Sequence, residues 1–301
     1  MKEGLVSVVV TTYYRNDGLE KALDEILAQT YSPLEVIVVD DSAEEHARDV
    51  VAAYPDVEYV PHQVNTSQLG AWNTGVEFAA GEYVQFHDDD DWLFETKIER
   101  QVERLRENPD AGTVYCGFVT GNGEERRPDP DARGQVLERA LRHTMPGRVT
   151  TTMLTRADLI EEVFPLPELP SAGDLLLTIE LAARTEFDAL DELLVHRESP
   201  PDNLGGSLAN RRSRLRIIRE HSDLYDSYPE IKRETLARSY FLLGRKQFTN
   251  ALWSPRAIAS LLKANYYSPS LEREYLLYFA ASWFGYLGLL LGRSLPGVSP
   301  S

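Results

Sequence analysis

The first third of the chain alternates between two hydrophobic periods, and this alternation restricts the folds that it can adopt. Continuous β-branched runs over residues 5–12 and 34–39 predict strands that are buried on both faces. Apolar residues at helical spacing over residues 19–27 and 69–80 predict amphipathic helices between such strands. A chain that alternates strand and helix in this way forms an α/β fold with a wound, mostly parallel sheet.

The remaining elements are predicted from the same two periods. Asn16 or Asp17 stands where it could cap the first helix, and from Ser207 onward every periodic stretch is helical. A loop rich in Gly, Pro and charged residues covers residues 121–134. Further strands are expected at 57–60, 82–87, 148–154 and 190–196, and further helices at 43–54, 94–106 and 174–184.

Composition excludes several classes of protein. The 301 residues suit one large domain or two ordinary ones, and an apolar fraction of 43% argues against wholesale disorder. Cys116 is the only cysteine, so a disulfide framework is impossible and a reducing compartment is favoured. The first four residues lead directly into a strand, so we expect no signal peptide and a cytoplasmic location. A formal charge of −17 repels phosphate backbones, which argues against nucleic acid as a partner.

The charged residues are unevenly distributed among residue types. The chain has 48 Asp and Glu but only 6 Lys beside 25 Arg. An excess of carboxylates with few lysines is typical of proteins that work in concentrated salt, where the Debye length shrinks to about 3 Å at 1 M. A GC-rich genome and an ordinary acidic protein are the alternative explanation. We expect a halophilic protein.

Polar residues follow three of the predicted strands, at the point where each strand ends. Residues 11–13 (Thr-Thr-Tyr) end the first strand, residues 40–42 (Asp-Asp-Ser) end the second, and His87 is followed by four aspartates. In a wound parallel sheet, ligands bind beyond the carboxyl ends of the strands. The sequence therefore predicts a ligand site at this edge.

The four aspartates, residues 88–91, predict a metal site. Like charges at one strand end are unfavourable unless a cation neutralises some of them, and Mg²⁺ or Mn²⁺ takes carboxylates together with substrate phosphates. A solvated acidic loop is the alternative. Asp41 could accept a hydrogen bond from a nucleotide's base or ribose, or this pair of aspartates could instead cap the next helix, as could Ser42.

Two stretches carry a resemblance to a known family: VSVVVTTYYRNDGLEKALDEILAQTYSPLEVIVVDDS and NTGVEFAAGEYVQFHDDDDW. They resemble the family-2 glycosyltransferases of the GT-A fold, closely over residues 6–106 and more weakly to about 206. The resemblance implies a nucleotide-sugar-binding half at 1–119, an acceptor and catalytic-base half at 120–206, and a helical tail at 207–301. With the acidic composition, it favours a haloarchaeal source and similarity to cell-surface and S-layer glycan assembly enzymes.

The resemblance also implies roles for residues of the first half. Thr11, Tyr13 and Asp41 match the nucleoside-binding positions, with Asp41 on the base. Asp88 and Asp90 match the two aspartates of the DxD motif, so Asp90 would ligate Mn²⁺ or Mg²⁺ and Asp88 would support the ribose or the metal.

This sequence departs from the family pattern near Asn73 and Gly75, which match its Arg-Asn-x-Gly element. Trp72 stands where Arg is usual, and Ser67 stands where Gly is usual. The usual cation beside the donor diphosphate is therefore missing from this helix. The metal, backbone N–H groups or a basic residue elsewhere would take its place.

In the second half, Asp174 best matches the family's catalytic base, with Gly173 in the position where Glu is usual. A carboxylate there would deprotonate the acceptor hydroxyl as it attacks the anomeric carbon with inversion. Asp174 could instead only favour the helix N-terminus electrostatically, and Asp158 or Asp188 could be the base. Arg197 would meet a donor phosphate in a loop that closes over the site, or form a surface salt bridge.

Residues 275–292 form an uncharged apolar stretch of eighteen residues, which at about 1.5 Å per residue reaches about 27 Å. Its tyrosines and Trp283 suit a membrane–water interface. An in-plane anchor at the cytoplasmic membrane face, a true membrane span, and a helix packed on the catalytic domain are the three alternatives.

Together these observations predict a metal-dependent inverting glycosyltransferase that moves one sugar from a nucleotide diphosphate, with UDP favoured over GDP. The acceptor would be a glycan, for instance one linked to a polyprenyl (dolichol) phosphate, in surface glycan assembly or protein glycosylation. The family's processive Gln-x-x-Arg-Trp element is absent, which favours single transfer. A catalytically silent nucleotide-sugar-binding scaffold and a nucleotidyltransferase are the alternatives.

Overall fold

The computed structural model describes residues 1–145, 149–198, 206–249 and 253–285, which divide into two compact units. The first unit is formed mainly by Met1–Ala140, Thr144–Leu169 and the segment from Gly173 to the end of the sheet. The second contains Leu141–His143, Pro170–Ala172 and the C-terminal helices. The predicted boundaries at 119/120 and 206/207 stay predictions.

The first unit is built on one nine-stranded sheet. Its strands follow the spatial order β3-β2-β1-β4-β8-β6-β9-β5, with β7 paired to β6. The strands are β1 (Lys2–Thr12), β2 (Leu34–Asp40), β3 (Val57–Pro61), β4 (Gly81–Asp88), β5 (Asp91–Leu93), β6 (Ala111–Thr120), β7 (Glu125–Arg126), β8 (Met153–Arg156) and β9 (Glu186–Arg197).

The six longest strands of the sheet run in the same direction. β1 pairs in parallel with β2 and β4, β2 with β3, and β6 with β9, whereas β8 runs antiparallel to both β4 and β6. The ends of β1, β2, β4 and β9 therefore point to the same side of the sheet, which we call the carboxyl edge. Only two residues join β4 to β5, yet β5 pairs with β9 at the far end of the order, so the sheet curls back on itself.

In the described part of the first unit, the α-helices are α1 (Asn16–Leu27), α2 (Arg48–Val51), α3 (Ser67–Phe78), α4 (Lys97–Glu107), α5 (Leu137–Leu141), α6 (Ala157–Val163) and α7 (Gly173–Ala182). α1 and α4 bury apolar residues at helical spacing, among them Leu19, Leu23, Ile98 and Val102. Burial of one such Leu, Ile or Val side chain stabilises the fold by about 1.5–3 kcal/mol. The predicted wound, mostly parallel sheet is confirmed.

The prediction of an acidic helix at 43–54 is wrong, because only α2 (Arg48–Val51) forms there. Ala43 and Glu45 have positive φ angles of 63° and 56°, which a right-handed helix does not allow. The Ser42 hydroxyl accepts hydrogen bonds from the backbone N–H groups of Glu44 and His46, and so holds a turn in place of a helix.

Two further expectations also need correction. α1 begins after Arg15, and neither Asn16 nor Asp17 caps it. The Asn16 amide instead donates to the His46 carbonyl at 3.0 Å. Strand β6, which lies between β8 and β9, was not predicted.

The second unit is helical, as predicted. Its helices are α8 (Leu208–Glu220), α9 (Ser222–Asp226), α10 (Pro229–Thr249), α11 (Pro255–Tyr267) and α12 (Arg273–Ser282). A core formed by Phe241, Phe248, Leu261 and Tyr278 joins the last three helices. A Cβ on Gly244 would lie 2.8 Å from the Leu261 side chain, so glycine permits the close approach of α10 and α11.

The apolar stretch at 275–292 lies only partly within the described residues, since residues 286–292 are outside them. α12 covers its first part, and Trp283 and Phe284 are 60% and 77% exposed. Among the helices of the described ranges, none is long and apolar enough to cross a membrane.

Candidate active site

The carboxyl edge brings the polar strand ends together. In the strand registers, Thr11 pairs with Asp88 of β4 and Thr12 pairs with Asp40 of β2. The backbone N–H of Asp41 donates to the Thr12 carbonyl at 3.0 Å. The predicted residues Thr11, Asp41 and Asp88 therefore lie along one continuous edge.

Asp41 is held in place by two residues beyond β3. Its Oδ1 atom lies 2.8 Å from His62 Nδ1 and accepts hydrogen bonds from the backbone N–H and the hydroxyl of Thr66 at 2.7 and 3.0 Å. The other ring nitrogen of His62 lies 2.9 Å from the Thr74 hydroxyl. Within the described ranges no hydrogen bond reaches Oδ2 of Asp41. A fixed carboxylate with one oxygen left over can accept an N–H group of a ligand base.

Asp40 has a structural role instead. Its carboxylate accepts hydrogen bonds from the backbone N–H groups of Ser42 and Ala47 and from the Tyr59 hydroxyl. Burial raises the pKa of Asp40, but these hydrogen bonds outweigh it, and the net shift is downward. Of the two aspartates that end β2, Asp40 therefore closes the turn, and the ligand-binding role of Asp41 stays a prediction.

Two exposed tyrosines follow β1 next to this position. Tyr13 is 54% exposed, and Tyr14, which has a positive φ of 56°, packs edge-on against it at 4.7 Å between ring centres. The Tyr14 hydroxyl donates to the Ser42 carbonyl at 3.0 Å, which fixes the pair to the loop after β2. Tyr13 thus presents a ring face on which a base can stack.

Arg15 joins the two middle aspartates of the acidic cluster, residues 88–91. Its guanidinium lies 3.0 Å from Asp89 Oδ1 and 2.9 Å from Asp90 Oδ2. Asp89 also accepts a hydrogen bond from the Thr12 hydroxyl at 2.8 Å. Asp89 is 4% exposed and its backbone lies against α1, where a Cβ on Gly18 would come 2.4 Å from its carbonyl oxygen. Asp89 therefore anchors the turn that presents Asp88 and Asp90.

The outer aspartates have different partners. Asp88 Oδ1 accepts a hydrogen bond from the Gln68 amide at the start of α3, at 2.8 Å. Asp91 pairs in register with Arg197 at the end of β9, and the Arg197 guanidinium lies 3.8 Å from its carboxylate. Arg197 is therefore a neighbour of the acidic cluster, and its partner Asp91 is buried.

The acidic cluster carries more negative charge than these partners neutralise. Burial and the charges of Asp90 and Asp89 raise the pKa of Asp88 to about 7, and burial raises the pKa of Asp89 to about 6. Burial and the Asp88 charge raise the pKa of Asp91 well above its usual range. A cation at this position would stabilise the charged form of the cluster.

The donor set fits a metal that is completed by a substrate. Among the described ranges, no three His, Cys, Asp or Glu side chains converge closely enough to hold a metal ion by themselves. Mg²⁺ and Mn²⁺ bind through one or two carboxylates plus substrate phosphates, and the acidic cluster supplies that number. Asp90 and Asp88 would hold the ion together with a diphosphate.

Trp72 and Gly173, the two departures from the family pattern, lie against each other. Trp72 is fully buried, with its ring centre 5.1 Å from that of Phe86. A Cβ on Gly173 would lie 2.8 Å from Leu69 and 3.2 Å from the Trp72 ring. A glutamate at 173 therefore would not fit beside Trp72 and Leu69, so one departure accounts for the other through packing.

The same contacts bring Asp174 toward the carboxyl edge. α7 begins at Gly173 beside Leu69, and Leu69 follows Gln68, whose amide holds Asp88. In the described part of the chain, the Asp174 carboxylate makes no hydrogen bond or ion pair. A partly exposed carboxylate without a partner can accept a proton.

The two alternative bases occupy other positions. Asp158 follows β8, which ends where β4 begins, so Asp158 lies on the side of the sheet opposite to Asp88. Asp188 is 2% exposed and pairs with Arg104 at 2.8 Å and with Asn108 at 2.9 Å. Burial raises the pKa of Asp188, but these partners outweigh it and lower the net value. Asp174 remains the predicted base.

Sequence reasoning did not predict His62, Gln68 or the pairing of Arg15 with the acidic cluster. Each of the three contacts bridges residues that are 20 or more positions apart in the chain. Arg15 offered a signal, as the only basic residue between the first strand and its helix, but its partners depend on the tertiary structure.

Comparison with known families fits this site. The sequence model of Glycosyl transferase family 2 matches residues 7–164, more than half of the chain. The chain belongs to glycosyl transferase family 2. The matched range contains the ends of β1, β2 and β4 and the acidic cluster, and it ends before Asp174 and Arg197.

Relatives and solved structures extend the comparison. Glycosyltransferase AglE of Haloferax volcanii is 29% identical over 180 residues, which are 56% of this chain and 59% of AglE. Bacterial glycosyltransferases match as well, so the haloarchaeal source stays a prediction. The chain spans about half the length, or less, of the first curated relatives that it matches.

Two solved structures have the same fold at low sequence identity. S. aureus TarS 1-349 in complex with UDP-GlcNAc superposes with a TM-score of 0.64 and 20% identity, over 88% of this chain and 81% of that one. Mannosyltransferase PcManGT from Pyrobaculum calidifontis, in complex with GDP-Man and Mn²⁺, gives a TM-score of 0.59 and 17% identity, over 96% and 87%. These likenesses confirm the predicted GT-A fold with its helical extension.

Proposed function

We propose that this chain is a metal-dependent, inverting glycosyltransferase that transfers one sugar from a nucleotide-diphosphate sugar to a glycan acceptor. The observation that carries the proposal is the meeting of Asp41, Asp88 and Asp90 at the carboxyl edge of a family-2 domain. That arrangement offers a carboxylate for a nucleoside and, about one strand away, carboxylates for a cation and its diphosphate.

The donor is held by residues that follow β1, β2 and β4. Asp41 accepts an N–H group of the base through Oδ2, Tyr13 stacks on the base, and Thr11 lines the floor beneath it. Asp88 and Asp90 face the diphosphate, and Arg197 approaches its phosphates from β9. Mn²⁺ or Mg²⁺, when bound, neutralises the charge that develops on the departing diphosphate.

Asp174 acts on the acceptor. Its carboxylate takes the proton of the acceptor hydroxyl while the hydroxyl oxygen forms a bond to the anomeric carbon. The bond between that carbon and the phosphate oxygen breaks, and the nucleoside diphosphate leaves with the electron pair. The configuration is inverted because attack and departure occur on opposite faces.

UDP is the favoured donor nucleotide and GDP is the alternative, since the structure that superposes with the higher TM-score, TarS, is in complex with UDP-GlcNAc and PcManGT is in complex with GDP-Man. Calorimetric titration of UDP, GDP and their sugars, with and without Mn²⁺, in molar KCl tests the proposal. We expect metal-dependent binding of one nucleotide that disappears in Asp90→Ala. Absence of any binding to the folded protein would favour a catalytically silent scaffold of the same fold.

The acceptor is proposed to be lipid-linked, for instance through a polyprenyl phosphate at the cytoplasmic membrane face, in surface glycan assembly. Exposed Trp283 and Phe284 and the apolar residues that follow support contact with a membrane surface. Membrane fractionation of the wild type and of Trp283→Ser/Phe284→Ser tests this part. A wild-type protein found only in the supernatant would contradict it.

A further inference from the structure

The helical unit has the opposite charge from the rest of the chain. Residues 206–249 and 253–285 contain 13 Lys and Arg against 7 Asp and Glu, although the whole chain has a formal charge of −17. No residue of the carboxyl edge belongs to this unit. The proposed sugar transfer at the carboxyl edge does not by itself require this positive charge.

Three arginines of this unit lie on two helices that pack against each other, and we call them the arginine cluster. Arg211 belongs to α8, which packs on α10, and Arg238 and Arg245 lie seven residues apart on α10. Seven residues are about two helical turns, so Arg238 and Arg245 share a face. Burial, followed by the charges of Arg245 and Arg238, lowers the pKa of Arg211.

The members of the arginine cluster differ in their partners. In the described ranges, the side chains of Arg211 and Arg238 make no hydrogen bond or ion pair. The Arg245 guanidinium lies 3.8 Å from Glu274 and packs over the rings of Phe241 and Tyr278, at 5.6 and 5.2 Å from their centres. These contacts fix Arg245, while Arg211 and Arg238 keep their donors for a ligand.

We propose that Arg211, Arg238 and Arg245 form a binding site for a single phosphate group. The guanidinium fork matches the geometry of phosphate oxygens, and a phosphate anion neutralises like charges that are otherwise unfavourable together. A single phosphate suits this site better than a polyanion, because the rest of the chain is acidic and repels long negative chains.

The role of this site in the reaction rests on the proposed function, in which the phosphate belongs to the acceptor. The same chemistry can come from a lipid-linked phosphate in a membrane or from a phosphate in solution. Phosphate binding itself does not depend on sugar transfer, so the two proposals can fail separately.

Calorimetric titration of the full chain with inorganic phosphate tests the site, at a salt concentration where circular dichroism shows the folded protein. We expect Arg211→Gln/Arg238→Gln to weaken phosphate binding by about tenfold or more, as loss of charge-assisted hydrogen bonds implies. The matched control is Arg212→Gln/Arg233→Gln, which removes the same charge from exposed positions of α8 and α10. The control should bind phosphate as the wild type does.

An equal loss of phosphate affinity in the two double variants would overturn the proposal, because it would indicate general attraction of phosphate by the positive surface. A wild type that does not bind phosphate would overturn it as well. Arg245→Lys keeps the charge but loses the fork, so we expect weaker phosphate binding by a variant that circular dichroism shows to be folded. Phosphate affinity equal to the wild type in Arg245→Lys would exclude Arg245 from the site.

Vesicles identify the source of the phosphate. Co-sedimentation with vesicles of phosphatidylcholine plus phosphatidylglycerol, but not with phosphatidylcholine alone, would indicate a lipid headgroup if inorganic phosphate competes. Phosphate binding without sedimentation would indicate a soluble phosphate. Sedimentation that neither competes with phosphate nor depends on Arg211 and Arg238 would contradict the site. UDP binding with Mn²⁺ should be unchanged in Arg211→Gln/Arg238→Gln, and its absence in the wild type would refute only the proposed function.

Discussion

The two units each hold a cluster of like charges, and the clusters differ in sign and in surroundings. The acidic cluster lies at the ends of buried strands, where Asp89 and Asp91 are 4% and 1% exposed. The arginine cluster lies on helix surfaces, where Arg211 is partly exposed and Arg238 is exposed. In both clusters, burial and like charges favour the neutral form of a side chain. They raise the pKa of Asp88 and lower the pKa of Arg211.

This difference distinguishes two ways of preparing a site for an ion. The acidic cluster is fixed by Thr12, Gln68, Arg15 and backbone contacts, so its geometry is set before a cation arrives. Such preorganisation is what stabilisation of a transition state requires. The arginine cluster relies on charge near solvent, which gives attraction that salt weakens. We therefore expect substitutions in the first cluster to affect catalysis and those in the second to affect only binding.

The largest effect is expected at the two carboxylates with proposed catalytic roles. Asp90→Asn and Asp174→Asn should each reduce transfer by about 10³-fold or more, since each removes a charge that the transition state needs. Only Asp90→Asn should also weaken donor binding in calorimetry, because Asp174 does not contact the leaving group. Equal donor affinity in the wild type and both variants would contradict this assignment of roles.

A smaller effect is expected at the contact between α3 and α7. Gly173→Ala places a Cβ 2.8 Å from Leu69 and should destabilise the protein by about 1–3 kcal/mol through overpacking. Leu69→Ala alone removes a buried side chain and costs about 2–5 kcal/mol. The double variant should cost less than the sum by about 0.5–3 kcal/mol, because the cavity accepts the new methyl group. Urea denaturation of the four proteins measures this coupling, and additive losses would contradict the contact.

The sequence predicted the elements whose signal is local. Residues 5–12 and 34–39 form continuous buried runs, and both occur as strands at almost these bounds. The meeting of Thr11, Asp41 and Asp88 followed from parallel pairing alone, without any knowledge of side-chain contacts.

Other elements depend on contacts that local sequence does not contain. Gly112, Thr113 and Gly117 interrupt the apolar pattern of β6, which forms because β8 and β9 pair with it from more than 30 residues away. The helix expected at 43–54 failed because the Ser42 hydroxyl and the Asp40 carboxylate bind backbone N–H groups of this loop. His62 and Gln68 joined the site in the same way, through tertiary hydrogen bonds.

Lys97 provides a pH-dependent prediction for the first unit. Its side chain is fully buried and its ammonium donates to Gln85, and burial lowers its pKa to about 7. The unfolded chain keeps this proton up to about pH 10.4, so between pH 7 and 9 the unfolded state binds more protons and stability rises with pH.

This rise in the free energy of unfolding should reach at most about 1.4 kcal/mol per pH unit. The contribution of Lys97 to this rise is absent from Lys97→Met. We therefore expect the difference in the free energy of unfolding, wild type minus Lys97→Met, to increase between pH 7 and 9. Measurement stops at pH 9 because the thiol of Cys116 ionises at about pH 8.5 in the unfolded chain, whereas burial raises its pKa to about 11 in the fold, and this difference contributes a slope of opposite sign. A difference that stays flat from pH 6 to 9 would indicate that Lys97 keeps its proton in the folded protein.

The smallest expected effect concerns salt and compares the carboxylates of the whole chain with the arginines of the helical unit. At −17, repulsion among carboxylates should make the free energy of unfolding rise as KCl increases from dilute buffer to molar concentration. Arg212→Gln/Arg233→Gln removes two positive charges and takes the chain from −17 to −19, so its rise with KCl should be steeper by a few tenths of a kcal/mol. A shallower rise in this variant would mean that repulsion among the arginines of the helical unit outweighs their attraction to the carboxylates elsewhere.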